Sequence, residues 1–550
     1  MARWRLGVAL LLLMLIALPV GWPVVQLLAD RDAWQSWRET PRLLVLTLNT
    51  LYLVAGTIAL TVPLGTFGSI LLYRTDLPGR RLFRFVLLLA LFVPLPLFAS
   101  GWQAVLGNDG WLPWSGWNGP RVADPSFATR GWLPAPWDPG IGSAILIHAV
   151  AGLPWVVLIV GQGLRRVERE LEEDALTVAP PARVVWRVTL PRCRVAVAAA
   201  ALWVALQTAT EITVTDVMQV KTFAEEVYTQ LVEDVGVGRA VAVALPWVAL
   251  TTLLIVATAR RWERNLPPRA TVAGPPLVFR LGRWRRSAVL LVAGVCGMLL
   301  AVPLASLVWR AGLSGLPAAW SPATVWHHLV VVGRAEAWTL FQSLVVAVLA
   351  GGSCASLALV VCWTCLDSRR MQTAVLVLMA VAWSLPGPIV GLGLKATFEG
   401  LLNVTGSSFL GVVLWYGPSP VPLVWADLIR FFPCAVALLW PVVRQTPPEL
   451  RDAARMDGAT PGQELAQVVW PLHVGAALRA GLAVGVLTLG ELSAGKMLSM
   501  ADWPGYAQTV FVQMHWGIKN DLAARCLWLL AAVTVGTGLV AACGLERSDR

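Results

Sequence analysis

Long apolar stretches recur along the whole chain and limit its possible folds more than any other feature. Stretches of 18 or more mostly apolar residues are typical of helices that cross a membrane. We predict twelve of them, near 6–28, 43–73, 82–105, 141–163, 195–215, 240–259, 287–309, 336–366, 371–395, 422–444, 474–498 and 521–545. Only 14% of the residues are charged, against about 25% in soluble proteins. The sequence therefore predicts an all-α polytopic membrane protein with about 12 transmembrane helices.

The basic residues fall in alternate loops, so the net charge of +11 reports orientation. The first residues, the loop after 73, the segments 165–194, 260–286 and 444–479 and the C-terminus are rich in arginine. Loops rich in Lys and Arg stay in the cytoplasm. Both termini are therefore expected in the cytoplasm. The positive charge is expected to set the orientation of the chain in the lipid bilayer, and no nucleic-acid partner is expected.

Two local patterns have simple interpretations. The apolar run from Leu6 is about 23 residues long, more than the 7–15 of a signal peptide core, so a retained first span is expected. Cys362 and Cys365 have CxxC spacing but no second pair or neighbouring histidine. Packing of small thiols in an apolar span is favoured for them over metal or redox chemistry. No metal and no cofactor are expected.

A segment rich in arginine and proline divides the chain. It covers 261–286, with six predicted spans before it and six after it. An even number of spans on each side gives both sides the same orientation, as in parallel repeats. We therefore predict two parallel six-helix repeats, residues 1–260 and 287–550, joined by a cytoplasmic linker.

Each predicted half contains a polar cytoplasmic segment between its fourth and fifth spans. The first runs from Glu170 to Pro191 and the second from Glu449 to Pro471. A glutamate follows each proline after 20 residues: Glu211 follows Pro191, and Glu491 follows Pro471. The two prolines and the two glutamates are each 280 residues apart, which indicates a duplicated segment. A single loop of this kind would be interpreted as an ordinary amphipathic surface loop.

The second polar segment predicts a helix, a turn and another helix. Pro448 suits a first helical turn, and Gly458 can end that helix in the left-handed conformation. The Thr460–Gln463 pattern is a capping box that starts a second short helix, and Pro471 is expected to end it. In the first segment the glycine position holds Val178 or Ala179, depending on the alignment.

These loops resemble the EAA loop of ABC-type importer permeases. The resemblance is carried by Asp452-Ala453-Ala454, Gly458 and the ending Val468-x-Trp470-Pro471. Asp and Trp here replace the Glu and Leu of the family pattern, and the first copy lacks the glycine. The resemblance implies a type I importer permease fold, with loops that dock on ATPase subunits. The expected docking residues are Glu172, Glu173, Asp174, Ala175, Ala179, Asp452, Ala453, Ala454 and Gly458.

The resemblance also implies partners and a location. Two copies of a cytoplasmic ABC ATPase and a periplasmic solute-binding protein are expected, in a bacterial inner (plasma) membrane. The binding protein is expected near the outer loops 106–140, 216–239, 396–421 and 499–520. Two fused halves resemble the ferric iron permeases most, with thiamine, polyamines or another small solute as alternatives. A secondary transporter coupled to ions is the rival class.

Few other residues suggest chemistry. Gly490-x4-Gly495-Lys496 approaches a phosphate-binding loop, but Met497 stands where the magnesium-binding Ser or Thr belongs. The chain is therefore expected to be no enzyme, with ATP hydrolysed by its partner. Glu211, Asp216 and Glu491 are candidates for the substrate pathway, since carboxylates suit hard cations; the alternative is that the two glutamates lie in interfacial water. Arg430 is expected to pair with Asp427 or to extend towards water.

Overall fold

The computed structural model describes residues 1–30, 32–38, 40–106, 140–232, 237–264, 276–315, 319–498, 503–514 and 519–545. Within these residues the fold is all-α apart from the two-stranded ribbon Leu313–Ser314 and Ala319–Trp320 and an isolated bridge between Thr75 and Phe279. In the described part of the chain, ten helices are long and apolar enough to cross a membrane, and two bent helix pairs raise the number to as many as twelve. The prediction of an all-α polytopic protein is confirmed at this level.

The helices before residue 265 are labelled in chain order. They are α1 (Ala2–Ala29), α2 (Thr40–Arg74), α3 (Arg80–Phe92), α4 (Leu95–Leu106), α5 (Ile141–Leu164), α6 (Arg169–Leu176), α7 (Pro181–Thr210), α8 (Thr213–Val217), α9 (Phe223–Val232) and α10 (Val237–Arg264).

The helices after residue 275 follow a similar order. They are α11 (Gly282–Gly312), α12 (Pro322–Ala335), α13 (Ala337–Cys365), α14 (Arg369–Ser384), α15 (Gly387–Thr405), α16 (408–416), α17 (Val421–Val443), α18 (Pro448–Met456), α19 (Pro461–Thr488), α20 (Gly495–Leu498), α21 (Tyr506–Met514) and α22 (Asn520–Leu545).

Two predicted spans are sharply bent instead of continuous. Helices α3 and α4 meet at 102°, and helices α14 and α15 meet at 111°. Each bend falls where a residue precedes proline, since Val93 and Leu385 are extended and Pro94 and Pro386 follow them. A proline ring crowds the preceding residue out of the helical region. The spans predicted near 82–105 and 371–395 thus each correspond to a bent helix pair, and α15 continues past 395.

Four prolines are accommodated inside long helices by a widened turn. A π-helical turn ends two residues before each of Pro19, Pro191, Pro303 and Pro471. Proline lacks an N–H and crowds the carbonyl four residues earlier, and a π turn relaxes this contact. The helix therefore runs from Pro461 to Thr488 without interruption. The expectation that Pro471 ends a short helix was wrong for this reason.

The parts before and after the linker interlock through their first helices. Helix α1 packs on helices after the linker, where the Trp425 indole Nε1 donates to the Leu15 carbonyl at 2.8 Å. Helix α11 packs in turn on α4, where Pro303 lies against Gly101. Both large apolar clusters of the core contain residues from the two parts.

Candidate functional site

The first loop is fastened to the chain by a buried acid on α6. The Glu172 carboxylate accepts from the Arg74 guanidinium at 2.5 Å, and both side chains are 0% exposed. The Thr189 hydroxyl donates to the same oxygen, Oε1, at 2.6 Å. Burial raises the pKa of the Glu172 carboxyl, and the hydrogen bonds from Thr189 and Arg74 oppose this shift. One side chain thus joins α6 to the end of α2 and the start of α7.

The other expected docking residues of the first loop are more accessible than Glu172. Glu173 and Asp174 are exposed, whereas Ala175 and Ala179 are half-buried. Glu173 forms only a surface pair with Arg169, one turn earlier on α6. The structure therefore places Glu172 inside the protein and Glu173 and Asp174 on its surface.

The second loop has the turn that the sequence predicts. Gly458 has a φ of +83°, in the left-handed region that favours glycine. The Thr460 hydroxyl accepts from the Gln463 N–H, and the Gln463 side chain accepts from the Thr460 N–H, which is the capping box. The predicted helix α18 and its stop at Gly458 are confirmed.

The exposed side of α18 is partly apolar. Asp452 and Ala453 are exposed and Ala454 is half-buried. Leu450 is 50% exposed and Met456 is 83% exposed, so two large apolar side chains stand out from a short polar loop. An apolar face flanked by charge is a typical protein-binding surface.

The turn of the first loop lacks the glycine geometry. Four residues separate the two helices of each loop, 177–180 and 457–460. This count places Val178 opposite Gly458 and favours it over Ala179. Val178 is 84% exposed, and the Ala179 N–H donates to the Ala175 carbonyl at 3.0 Å.

The second loop is held by an arginine network. Arg451 donates to Asp367 at 2.6 Å and to the buried Glu464 at 2.8 Å. Arg455 also reaches both carboxylates, and the Trp363 indole donates to Glu464 at 3.1 Å. The hydrogen bond from Arg451 holds the pKa of Asp367 below its usual value. Helix α18 is thereby joined to the end of α13 and the start of α19.

The two glutamates beyond the spans cap short helical turns. Glu211 directly follows α7, and its carboxylate accepts from the N–H groups of Thr213 and Val214 at 2.7 and 2.8 Å. Glu491 accepts from the Ser493 hydroxyl at 2.8 Å and from the Ala494 N–H at 3.0 Å. Both carboxylates therefore hold the turn that follows a span.

A basic side chain lies near each of these carboxylates. His148 Nε2 is 3.9 Å from Glu211 Oε2, and Arg430 Nε is 3.9 Å from Glu491 Oε2. Arg430 also donates to the Leu385 carbonyl at the bend between α14 and α15, at 3.0 Å. Its ion-pair partner is thus Glu491, where the sequence suggested Asp427. Over the described residues, no three His, Cys, Asp or Glu side chains are grouped to hold a metal ion.

A cavity of about 50 Å³ lies between helices from both sides of the linker. Its charged lining residue is Arg430, beside the rings of Trp203 and Trp383, which are 4.9 Å apart. The lining residues are Trp203, Leu206, Gln207, Thr210, Trp383, Arg430, Phe431 and Leu487. The volume holds about three or four waters and is too small for a larger solute.

The structure also locates the CxxC pair, the near phosphate-binding loop and part of the expected binding-protein loops. Cys362 and Cys365 are free and buried in α13, as expected for packing thiols. Lys496 of the near phosphate-binding loop donates to the Tyr228 hydroxyl and lies 4.5 Å from the Phe511 ring. The expected binding-protein loops lie partly outside the described residues, including nearly all of 106–140 and parts of 216–239 and 499–520.

Comparison of the chain with known protein families found no matching family, and comparison with curated proteins found no match.

Proposed function

We propose that this chain is the membrane permease subunit of an ATP-driven importer of the ABC type. It consists of two parallel six-helix halves, 1–260 and 287–550, joined by the linker 261–286. Two ATPase copies dock on the loops at α6 and α18, and the ATPase supplies the bond chemistry. The termini, the linker and both loops face the cytoplasm of a bacterial cell.

The recurrence of irregular features supports the two halves. Each part has a π turn before a proline in its first span, a bent helix at Pro94 or Pro386, and a second π turn before Pro191 or Pro471. Each then has a glutamate that caps a short turn. Such irregularities cost stability, so their recurrence in one order favours duplication.

The observation that carries the proposal is the exposed loop pair. Each loop is a surface helix, tied by buried charge to two spans and followed directly by a long span. A partner that moves such a helix moves the spans with it. The cavity between the halves, beside Trp203 and Trp383, is then the part of the pathway that opens and closes.

The proposed substrate is ferric iron, on the strength of the sequence resemblance. The carboxylates of Glu211 and Glu491 are engaged with nearby donors, and Arg430 faces the cavity. The iron is therefore proposed to arrive from a periplasmic binding protein with oxygen ligands of its own. Thiamine, a polyamine or another small solute are the alternatives, and the ligand carried by the binding protein decides among them.

Gentle purification of the tagged chain tests the proposal. An ABC ATPase should co-purify in stoichiometric amount, and Met456→Glu should reduce that amount because it places a charge on the apolar face of α18. Val404→Glu is the matched control, since Val404 is 86% exposed on α15. Absence of an ATPase, together with uptake driven by an ion gradient, would favour a secondary transporter instead.

A further inference from the structure

Each loop is joined to its half by a clamp of buried charge. The first clamp is Arg74, Glu172 and Thr189, and the second is Arg451, Arg455, Asp367 and Glu464 with Trp363. Neither clamp needs the exposed faces of α6 and α18. Fastening and docking are therefore carried out by different side chains of the same short helices.

The two clamps occupy corresponding places in the chain. The segments 71–81 and 360–370 both end in Arg-Arg and share a threonine six residues earlier, at Thr75 and Thr364. This alignment places Arg74 opposite Trp363. Counted from Glu170 and Glu449 near the start of each loop helix, Glu172 lies opposite Arg451, and α18 then has one extra residue before its turn. The same three elements are joined in both halves, although the side chains differ.

We propose that Glu172 and Arg451 are positioning residues that make each loop and its spans move together. This inference rests on the proposed function. The reason is geometric, because α6 has eight residues and α18 nine. Each is tied through one clamp to the end of α2 or α13 and to the long span that follows it. Without the clamp, the docking face would still hold the ATPase, but its movement would not reach the spans.

A cysteine pair reports movement between the halves without a known substrate. The Thr252 and Ser384 hydroxyls are 3.1 Å apart, on α10 and α14. Cysteines at these positions are close enough to form a disulfide. Cys543→Ser removes the exposed native thiol of the described chain from this experiment.

The clamp variants are Glu172→Gln and Arg451→Gln, in the Thr252→Cys/Ser384→Cys background with bound ATPase. The matched control is Glu168→Gln, since Glu168 forms an exposed pair with Arg192. In the parent and the control, ATP should change the disulfide rate roughly fivefold or more, the lower end of ordinary coupling. In Glu172→Gln the change should disappear, and in Arg451→Gln it should fall below that of the parent because Arg455 still holds Glu464. The ATPase should stay bound in both variants.

Three outcomes would overturn the inference. An ATP response as large as the parent's in the clamp variants shows that the loops move the spans without the clamps. Loss of the ATPase from them shows that these residues serve docking or folding instead. A parent that binds no ATPase removes the proposed function itself. If Glu172→Gln does not fold, Arg451→Gln decides, because Arg455 still pairs with Glu464.

Discussion

Both loop helices are joined to membrane spans by ion pairs, but the loop helix supplies the acid in one case and the base in the other. In the first, the loop helix supplies the acid, Glu172, and the end of α2 supplies Arg74. In the second, the loop helix supplies Arg451 and Arg455, and the acids lie at the neighbouring span ends. The first clamp is one fully buried pair, whereas the second is a partly exposed network. The connection is thus present at both loops, while the charges that make it differ.

The difference predicts unequal sensitivity to loss of one partner. Arg74→Ala leaves Glu172 buried without its ion-pair partner, which should lower the free energy of unfolding by about 3–5 kcal/mol. Thermal unfolding of the purified chain in detergent measures this loss. The control is Arg192→Ala, whose exposed pair should contribute about 0–1 kcal/mol. Equal losses for the two variants would contradict the account of the first clamp.

Arg451→Ala should have a smaller effect than Arg74→Ala. Arg455 still reaches Glu464 and Asp367, so we expect a loss of about 1–3 kcal/mol. The Arg451→Ala/Arg455→Ala double variant should lose more than the sum of the two single variants, because only then is Glu464 left without a cation. Additive losses in thermal unfolding would mean that Arg451 and Arg455 do not substitute for each other as partners of Glu464.

Acid should act on the two clamps in opposite directions. The pKa of Asp367 is lowered, so its stabilising contribution is present above its unfolded value of about 3.9 and is lost as pH falls through the folded value. The pKa of Glu172 is raised, so its stabilising contribution is present below its unfolded value and is lost as pH rises through the folded value. Amide exchange protection of 448–456 should therefore fall relative to 169–176 as the pH is lowered below about 4. A parallel change in both segments would contradict this difference.

Gly458→Ala should give the smallest of these effects. A Cβ there meets no atom within 4 Å, so the cost of about 1 kcal/mol comes from the left-handed backbone. Gly462→Ala is the control, since a Cβ there makes an ordinary 3.4 Å contact with Trp4. Unfolding midpoints measure both, and Val178→Gly should give no gain because the first turn does not use that conformation. An equal cost at Gly458 and Gly462 would contradict this explanation.

Local chemistry made part of the fold and the loops predictable. Apolar length identified the spans, and the capping box and Gly458 fixed the turn of the second loop because these signals act within a few residues. The bends had a local signal as well, since Pro94 and Pro386 each stand inside a predicted span, but span length outweighed it. Pro471 was misread because a π turn before a proline leaves no signal in composition.

The clamps could not be predicted from the sequence. Arg74 and Glu172 are separated by 98 positions, and only the packing of α2 against the loop brings them together. A glutamate on a polar loop is ordinarily solvated, and nothing in the sequence distinguishes the buried Glu172 from its exposed neighbours Glu173 and Asp174. The capping roles of Glu211 and Glu491 depend on backbone N–H groups two or three residues later, which an offset between halves does not reveal.

The number of ATPase subunits bound to one chain tests the central claim most directly. Native mass spectrometry of the gently purified complex should give two ATPase copies per chain, one for the loop at α6 and one for the loop at α18. Met456→Glu should reduce the occupancy of the second copy. A chain that carries no ATPase, or whose ATPase is unaffected by charges placed on both loops, would contradict the account.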